Sequence, residues 1–170
     1  MRRLLSIAAA GAVYVALNLV TEHMSFPGLQ VVRPGIVVPV VSGVLLGPIA
    51  GFLVGFLGSM ASDLLTSGFY WNWELGNGLI GLVAGLTPLL ASRVRRQWIR
   101  IAAAAAVSAV AIVLGAGLAA MTDVFVANLT LDTALSAEWI PLATWNLAWG
   151  LPLLVLLLVV WAVIRRRVAP

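Results

Sequence analysis

The sequence predicts an all-α integral membrane protein, a six-transmembrane-helix bundle with both termini in the cytoplasm (N-in/C-in). Three observations carry this. Of the 170 residues 62% are hydrophobic and only 9% charged, so no ordinary water-soluble domain is compatible with the composition. The apolar stretches repeat at about the ~20-residue length that crosses a bilayer as a helix. All ten basic residues are arginine, and nine of them fall in three clusters: Arg2 and Arg3; Arg93, Arg95, Arg96 and Arg100; Arg165, Arg166 and Arg167.

Taken in order, the first span runs from about Leu4 to Thr21. Two arginines followed by an apolar run imitate a secretory leader, but the run continues to about Val20, and it is read as a retained helix. A polar connection with Glu22, His23, Pro27, Gly28, Gln30 and Arg33 leads to a second span that opens near Pro34, a good first-turn residue. That span is short and holds Pro39, so tilt or a kink is expected. Gly47-Pro48 forms the tight turn into the third span, which ends near Thr66. The fourth begins at Trp71–Glu74 and stops before Arg93. The fifth runs from about Ile101 to Thr122, and the sixth from about Pro141 to Ile164. Six crossings put all three arginine clusters on one side, where arginine marks the cytoplasmic face. The carboxylates Glu22, Asp63, Glu74, Asp123, Asp132 and Glu138 then fall at or near the outer surface.

The net charge of +4 is therefore an orientation signal and not a nucleic-acid footprint, since no basic run is interleaved with aromatics. The chain has no cysteine, no lysine and one histidine. Disulfides, thiolate chemistry, a Walker-A lysine, Schiff bases and two-histidine metal sites are all excluded. ATP used by any process involving this chain must be bound by another subunit. No cofactor and no metal site is expected. The sequon at Asn128-Leu129-Thr130 is read as chance. No boundary divides residues 1–170, so a single domain is expected.

Gly43, Gly47, Gly51 and Gly55 recur every four residues, and Ser59, Asp63 and Ser67 continue the series. Small residues at this spacing let helix backbones approach closely. The stripe places Asp63 on a packed face near the outer surface, where a carboxylate needs a partner or a function. Gly76-Asn77-Gly78-Leu79-Ile80-Gly81 matches GxGxxG, but it lies in a membrane helix with no preceding strand, and the dinucleotide reading is rejected. Gly78, Gly81 and Gly85 are a second packing face, with Glu74 one turn earlier on it and pointing inward. Ala8, Ala12 and Ala16 form a third small-residue stripe, open to internal packing or to a partner helix.

Five of the seven tryptophans map to the outer end: Trp71, Trp73, Trp139, Trp145 and Trp149. An interfacial belt accounts for Trp98, Trp161 and Trp139. It accounts less well for Trp71-Asn72-Trp73-Glu74 and Trp145-Asn146-Leu147-Ala148-Trp149, where indoles share a short segment with an amide. Indole faces attract cations, so these segments with Glu74 and Asp63 suit a flat ligand that is cationic or donates hydrogen bonds. Arg33, the one arginine outside the clusters, is free to pair with Asp63 or Glu74, to meet an anionic part of a ligand, or to stay solvated.

The stretch Val32-Arg33-Pro34-Gly35 through Val40-Val41-Ser42-Gly43-Val44-Leu45-Leu46-Gly47-Pro48, then Gly51, Gly55, Gly58, Asp63-Leu64-Leu65 and Asn77-Gly78-Leu79-Ile80-Gly81, resembles the substrate-binding S components of energy-coupling factor (ECF) vitamin transporters. Size and the expected topology are similar along the whole chain. The resemblance implies a non-enzymatic, S-component-like subunit in a prokaryotic cell membrane that captures a micronutrient from outside. Its partners would be a transmembrane coupling (T) protein and two ATPase subunits. It also implies that Ala8, Ala12 and Ala16 dock on the coupling protein. It places the ligand among the first external connection and the outer ends of later helices, here Arg33, Asp63, Trp71, Asn72, Trp73, Glu74, Asn77, Trp145, Asn146 and Trp149. The indole and carboxylate content leans towards a cationic heteroaromatic such as thiamine or its pyrimidine precursor. Two other readings stay open: a membrane enzyme using Asp63, Glu74 and Asp123, and an assembly subunit with no small ligand.

Overall fold

The computed structural model describes residues 1–21 and 34–168, and among them all regular structure is helical. Helix α1 spans Arg2–Thr21, and a 3-10 turn at Pro34–Ile36 leads into α2, Val37–Leu46. Then come α3 (Pro48–Thr66), α4 (Trp71–Ala84), the short α5 (Thr87–Leu90) and α6 (Gln97–Val126). The short α7 (Leu131–Thr133) and a π-helical turn, Ala134–Trp139, run directly into α8, Ile140–Val168. Arg33, Glu22 and His23 lie outside the described residues.

Four helical segments are long and apolar enough to cross a membrane: Arg2–Thr21, Pro48–Thr66, Gln97–Val126 and Leu131–Arg167. The protein is a multi-pass membrane protein. The second and fourth expected spans are shorter: α2 has 10 residues and α4 has 14, or ~15 and ~21 Å at 1.5 Å per residue, against a hydrocarbon core of ~30 Å. Pro39 sits in the first turn of α2, where a missing N–H leaves no carbonyl of α2 unpaired.

The last two spans are longer than their apolar runs suggest, and local chemistry explains why. Helix α6 continues past Thr122 because Asp123 is buried and bonded within the bundle. It stops where Asn128 turns left-handed at φ 56. The last helix starts at Leu131, well before Pro141, because the Thr130 side chain accepts the Thr133 N–H at 3.2 Å. The π turn then prepares for Pro141, which has no N–H. Ile140 N–H reaches the Leu135 carbonyl, five residues back.

Gly47 makes the turn between α2 and α3 at φ 96, a backbone region open to glycine, and Pro48 opens α3 at its first position. Helix α3 closes at Gly68, φ 118, whose N–H bonds the Asp63 carbonyl at 2.7 Å. Between these ends the glycine stripe packs on α4. A Cβ on Gly51 would strike the Gly81 carbonyl oxygen, and one on Gly55 would strike that of Asn77. Gly81 and Gly85 return the contact against Gly51 and Pro48. Gly76 meets Gly115 of α6 in the same way. Three backbones thus lie in contact across α3, α4 and α6, as both glycine series imply.

The apolar core is contributed by the 3-10 turn, α2, α4, α6 and α8: Ile36, Val37 and Val40; Ile80 and Ala84; Ala104, Ala111 and Ile112; Leu154 and Leu158. Helix α1 covers α3 with Tyr14, Asn18 and Thr21, spaced i, i+4 and i+7 on one face. Ala8, Ala12 and Ala16 lie on the other face and are exposed, so their stripe plays no part in packing within the described residues.

Candidate functional site

The two ends of the bundle differ in chemistry. At one end Arg3 donates to the Leu46 carbonyl at 2.6 Å, which sets the start of α1 level with the α2–α3 turn. Arg100, Arg165 and Arg166 line a cleft shared with Val44 and Leu45, so they occupy that same end. The opposite end is formed by the C-terminal turns of α3 and α6 and the N-terminal turn of α4. Asp63, Glu74 and Asp123 stand there.

A first polar chain joins α1, α3 and α4. Asn18 Nδ2 donates to Ser62 Oγ at 3.1 Å, and Ser62 Oγ donates to the Ser59 carbonyl at 2.8 Å. Asn77 Nδ2 donates to Ser59 Oγ at 2.9 Å. Ser59 Oγ lies 3.5 Å from Asp63 Oδ2, one turn on along α3. Asp63 and Asn77 are thus brought together through a serine, as the continuation of the glycine series requires. Asn77 and Asp63 are both half-buried.

A second network ties α4 to α6. Asn72 Nδ2 donates to Asp123 Oδ1 at 2.8 Å and to the Ala119 carbonyl at 3.2 Å. Trp73 Nε1 donates to Asp123 Oδ2 at 2.7 Å. Both oxygens of a buried carboxylate are therefore engaged, and these bonds to a charged acceptor are the strong kind. The side-chain amide of Asn72 and the indole N–H of Trp73 are held by Asp123.

Glu74, which follows Trp73 on α4 and precedes Asn77 by three residues, is 0% exposed. Its Oε1 accepts the Tyr70 N–H at 3.0 Å, whereas Oε2 is buried with no hydrogen-bond partner among the described residues. A carboxylate oxygen withdrawn from water and left without a donor is costly. That cost is relieved by any ligand that brings a donor to it.

The α8 residues stand apart from both networks. Asn146 is 7% exposed and hydrogen-bonds to no described residue. It lies one turn before Gly150, which faces Ile36 at the entrance to α2. Trp145 is half-buried, while Trp71 and Trp149 are exposed at 45% and 44%. Trp139, expected in an interfacial belt, is half-buried against α6. Its Nε1 donates to the Val113 carbonyl at 3.0 Å, and its ring edge lies over Gly117. Trp98 and Trp161 are exposed at the arginine end, as a belt requires.

Asn18 and Ser62 were not among the expected site residues, and Asp123 was expected only in the enzyme reading. Asn18 could have been found as the one amide in the first apolar run, four residues after Tyr14. The Asp123 bonds could not, because they depend on the registration of α4 against α6. Among the described residues no group of three or more His, Asp or Glu side chains could hold a metal ion. Asp63 and Asp123 belong to different networks, which does not favour the acid–base reading.

A lipid-facing helical bundle with one basic end and a buried amide, hydroxyl and carboxylate layer at the other has the build of a membrane-embedded binding subunit for a small polar molecule. The chain belongs to the ECF-type riboflavin transporter S component family, whose model matches residues 1–164. It is also similar to the UPF0397 protein of Aliivibrio salmonicida, 44% identical over 62 residues, covering 36% of this chain and 34% of that protein. The UPF0397 protein of Vibrio atlanticus is 44% identical over 59 residues, covering 34% and 32%. That of Streptococcus gordonii is 32% identical over 87 residues, covering 51% and 46%. The matched part of the chain spans from 32% to 46% of the length of these relatives. No solved structure matches the chain.

Proposed function

We propose that this protein is the substrate-binding subunit of an ECF-type vitamin importer and that its ligand is a flavin-type heterocycle, riboflavin first. The observation that carries the reading is the layer of amides and hydroxyls at the acidic end, where Asn77 donates to Ser59 and Asn18 to Ser62, with the buried Asn146 of α8 bonded to none of the described residues. Amides both donate and accept, which suits the alternating edge of a neutral flavin ring. The name of the matching family points the same way. In this reading the bundle crosses the membrane six times as one domain, both termini are cytoplasmic, and the acidic end faces outward in a prokaryotic plasma membrane. Arg33, Trp71, Trp145 and Trp149 border the ligand from the outer connection and helix ends. Ala8, Ala12 and Ala16 dock on the transmembrane coupling protein, and two ATPase subunits drive release inside.

A second reading, the cationic heteroaromatic such as thiamine, is favoured by Glu74 Oε2, which has no hydrogen-bond donor among the described residues. One experiment separates the two: mass spectrometry of small molecules released from the purified protein. A flavin mass at near one per chain supports the first reading and a thiamine-type mass the second. A micronutrient of neither class would contradict both.

A further inference from the structure

We infer that the arginine end carries a binding site for the phosphate headgroup of an anionic phospholipid. There α2, α6 and α8 enclose a cleft of about 280 Å³. Its rim holds three guanidinium groups from two helices, Arg100 from the first turn of α6 and Arg165 and Arg166 from the last turns of α8. None of the three forms an ion pair with a described residue. The nearest acids cannot serve, since Asp63, Glu74 and Asp123 lie at the other end of the bundle.

Three like charges around one cleft repel one another unless an anion joins them. The last-turn arginines of α8 are eased by the negative end of that helix, but Arg100 stands at the positive end of α6, whose first turn has no acidic residue. Guanidinium groups match phosphate oxygens in a bidentate way, and several of them together suit a phosphodiester.

Below the rim the cleft is apolar. Ile101 and Leu158 line it, and Trp161, 47% exposed, forms a wall that continues into the outward face of α8. A free phosphate ion would leave that apolar part wet. An anionic phospholipid fills both parts, with its phosphate on the arginines and an acyl chain along the helix surface. Basic clefts between membrane helices at the cytoplasmic leaflet are suited to such headgroups.

The test uses the full-length protein in detergent, studied by native mass spectrometry with phosphatidylglycerol, phosphatidylcholine of identical chains, and inorganic phosphate. Phosphatidylglycerol is expected to stay bound preferentially. The pair Arg100→Gln with Arg165→Gln should weaken it by about fivefold per arginine, about 25-fold together. The charge-matched pair Arg93→Gln with Arg95→Gln, outside the cleft, should change it by less than about twofold. Arg100→Lys with Arg165→Lys should keep the preference, which separates lost charge from lost fold. Equal retention of the two lipids, equal loss in the two Gln pairs, or displacement of the lipid by millimolar inorganic phosphate would each overturn the proposal.

Discussion

Asn77 donates to Ser59 at 2.9 Å at the point where the α3–α4 contact changes character. Below it the two helices meet glycine on glycine, Gly51 against Gly81, and Gly55 against the Asn77 backbone. Above it small residues give way to polar pairs. The same four-residue period that lets the backbones touch thus delivers Ser59 and Asp63 to the polar layer. Close packing and the candidate site are one construction.

The contact predicts a sharp difference between glycines. Gly81→Ala places its Cβ against the Gly51 backbone and should destabilise the protein by about 1–3 kcal/mol through overpacking. Gly11→Ala meets nothing within 4 Å, and should be neutral or stabilise by about 0.5–1 kcal/mol. Thermal unfolding of the two variants in the same detergent checks the pair.

Asp123→Ala removes the acceptor for both Asn72 and Trp73, leaving the half-buried Trp73 indole without it and the buried Asn72 amide with only the Ala119 carbonyl. A loss of about 2–4 kcal/mol is expected, since bonds to charged groups contribute about 1.5–3 kcal/mol each but are not additive. Tryptophan emission should change with it, because the Trp73 indole loses its partner. An unaltered melting temperature would show that the α4–α6 network contributes nothing.

Much of this was legible in the sequence, and the limits are physical. The arginine clusters, the glycine period and Gly47-Pro48 act locally or through a helical repeat, so charge segregation, the α3–α4 contact and the tight turn could all be read. The inward position of Glu74 followed from the same repeat, and the structure buries it fully. The roles of Asn72, Trp73 and Trp139 could not be read. Whether an indole meets a ligand, a lipid or a carbonyl depends on which residue of α6 stands opposite. Likewise the early start of the last helix rests on a threonine cap and a π turn that hydropathy does not register. The alanine stripe was ambiguous by spacing alone, and exposure of all three residues now separates it from the Tyr14 face.

Glu74→Gln keeps the shape but turns one acceptor oxygen into a donor. If ligand donates to Oε2, affinity should fall by about tenfold or more, as for loss of a hydrogen bond to a charged group. Equilibrium titration checks this, and unchanged affinity would remove Glu74 from the site.

Ala12→Trp adds bulk to the exposed face of α1, away from Tyr14 and Asn18. Uptake of radiolabelled vitamin by cells should be lost, while binding by the purified subunit stays within about twofold, because the substitution touches no residue of the polar layer. Equal loss of both would place the stripe in the subunit's own folding.

The central claim is that the acidic end of this bundle binds a flavin-type vitamin through its amide layer. The most direct measurement is titration of the purified protein with riboflavin, following quenching of the flavin emission, beside the Asn77→Ala variant. The account predicts saturable binding at one site per chain, weakened by about fivefold or more when Asn77 loses its amide, as for one hydrogen bond of about 1 kcal/mol. No saturable quenching, or the same isotherm for protein and variant, would contradict it.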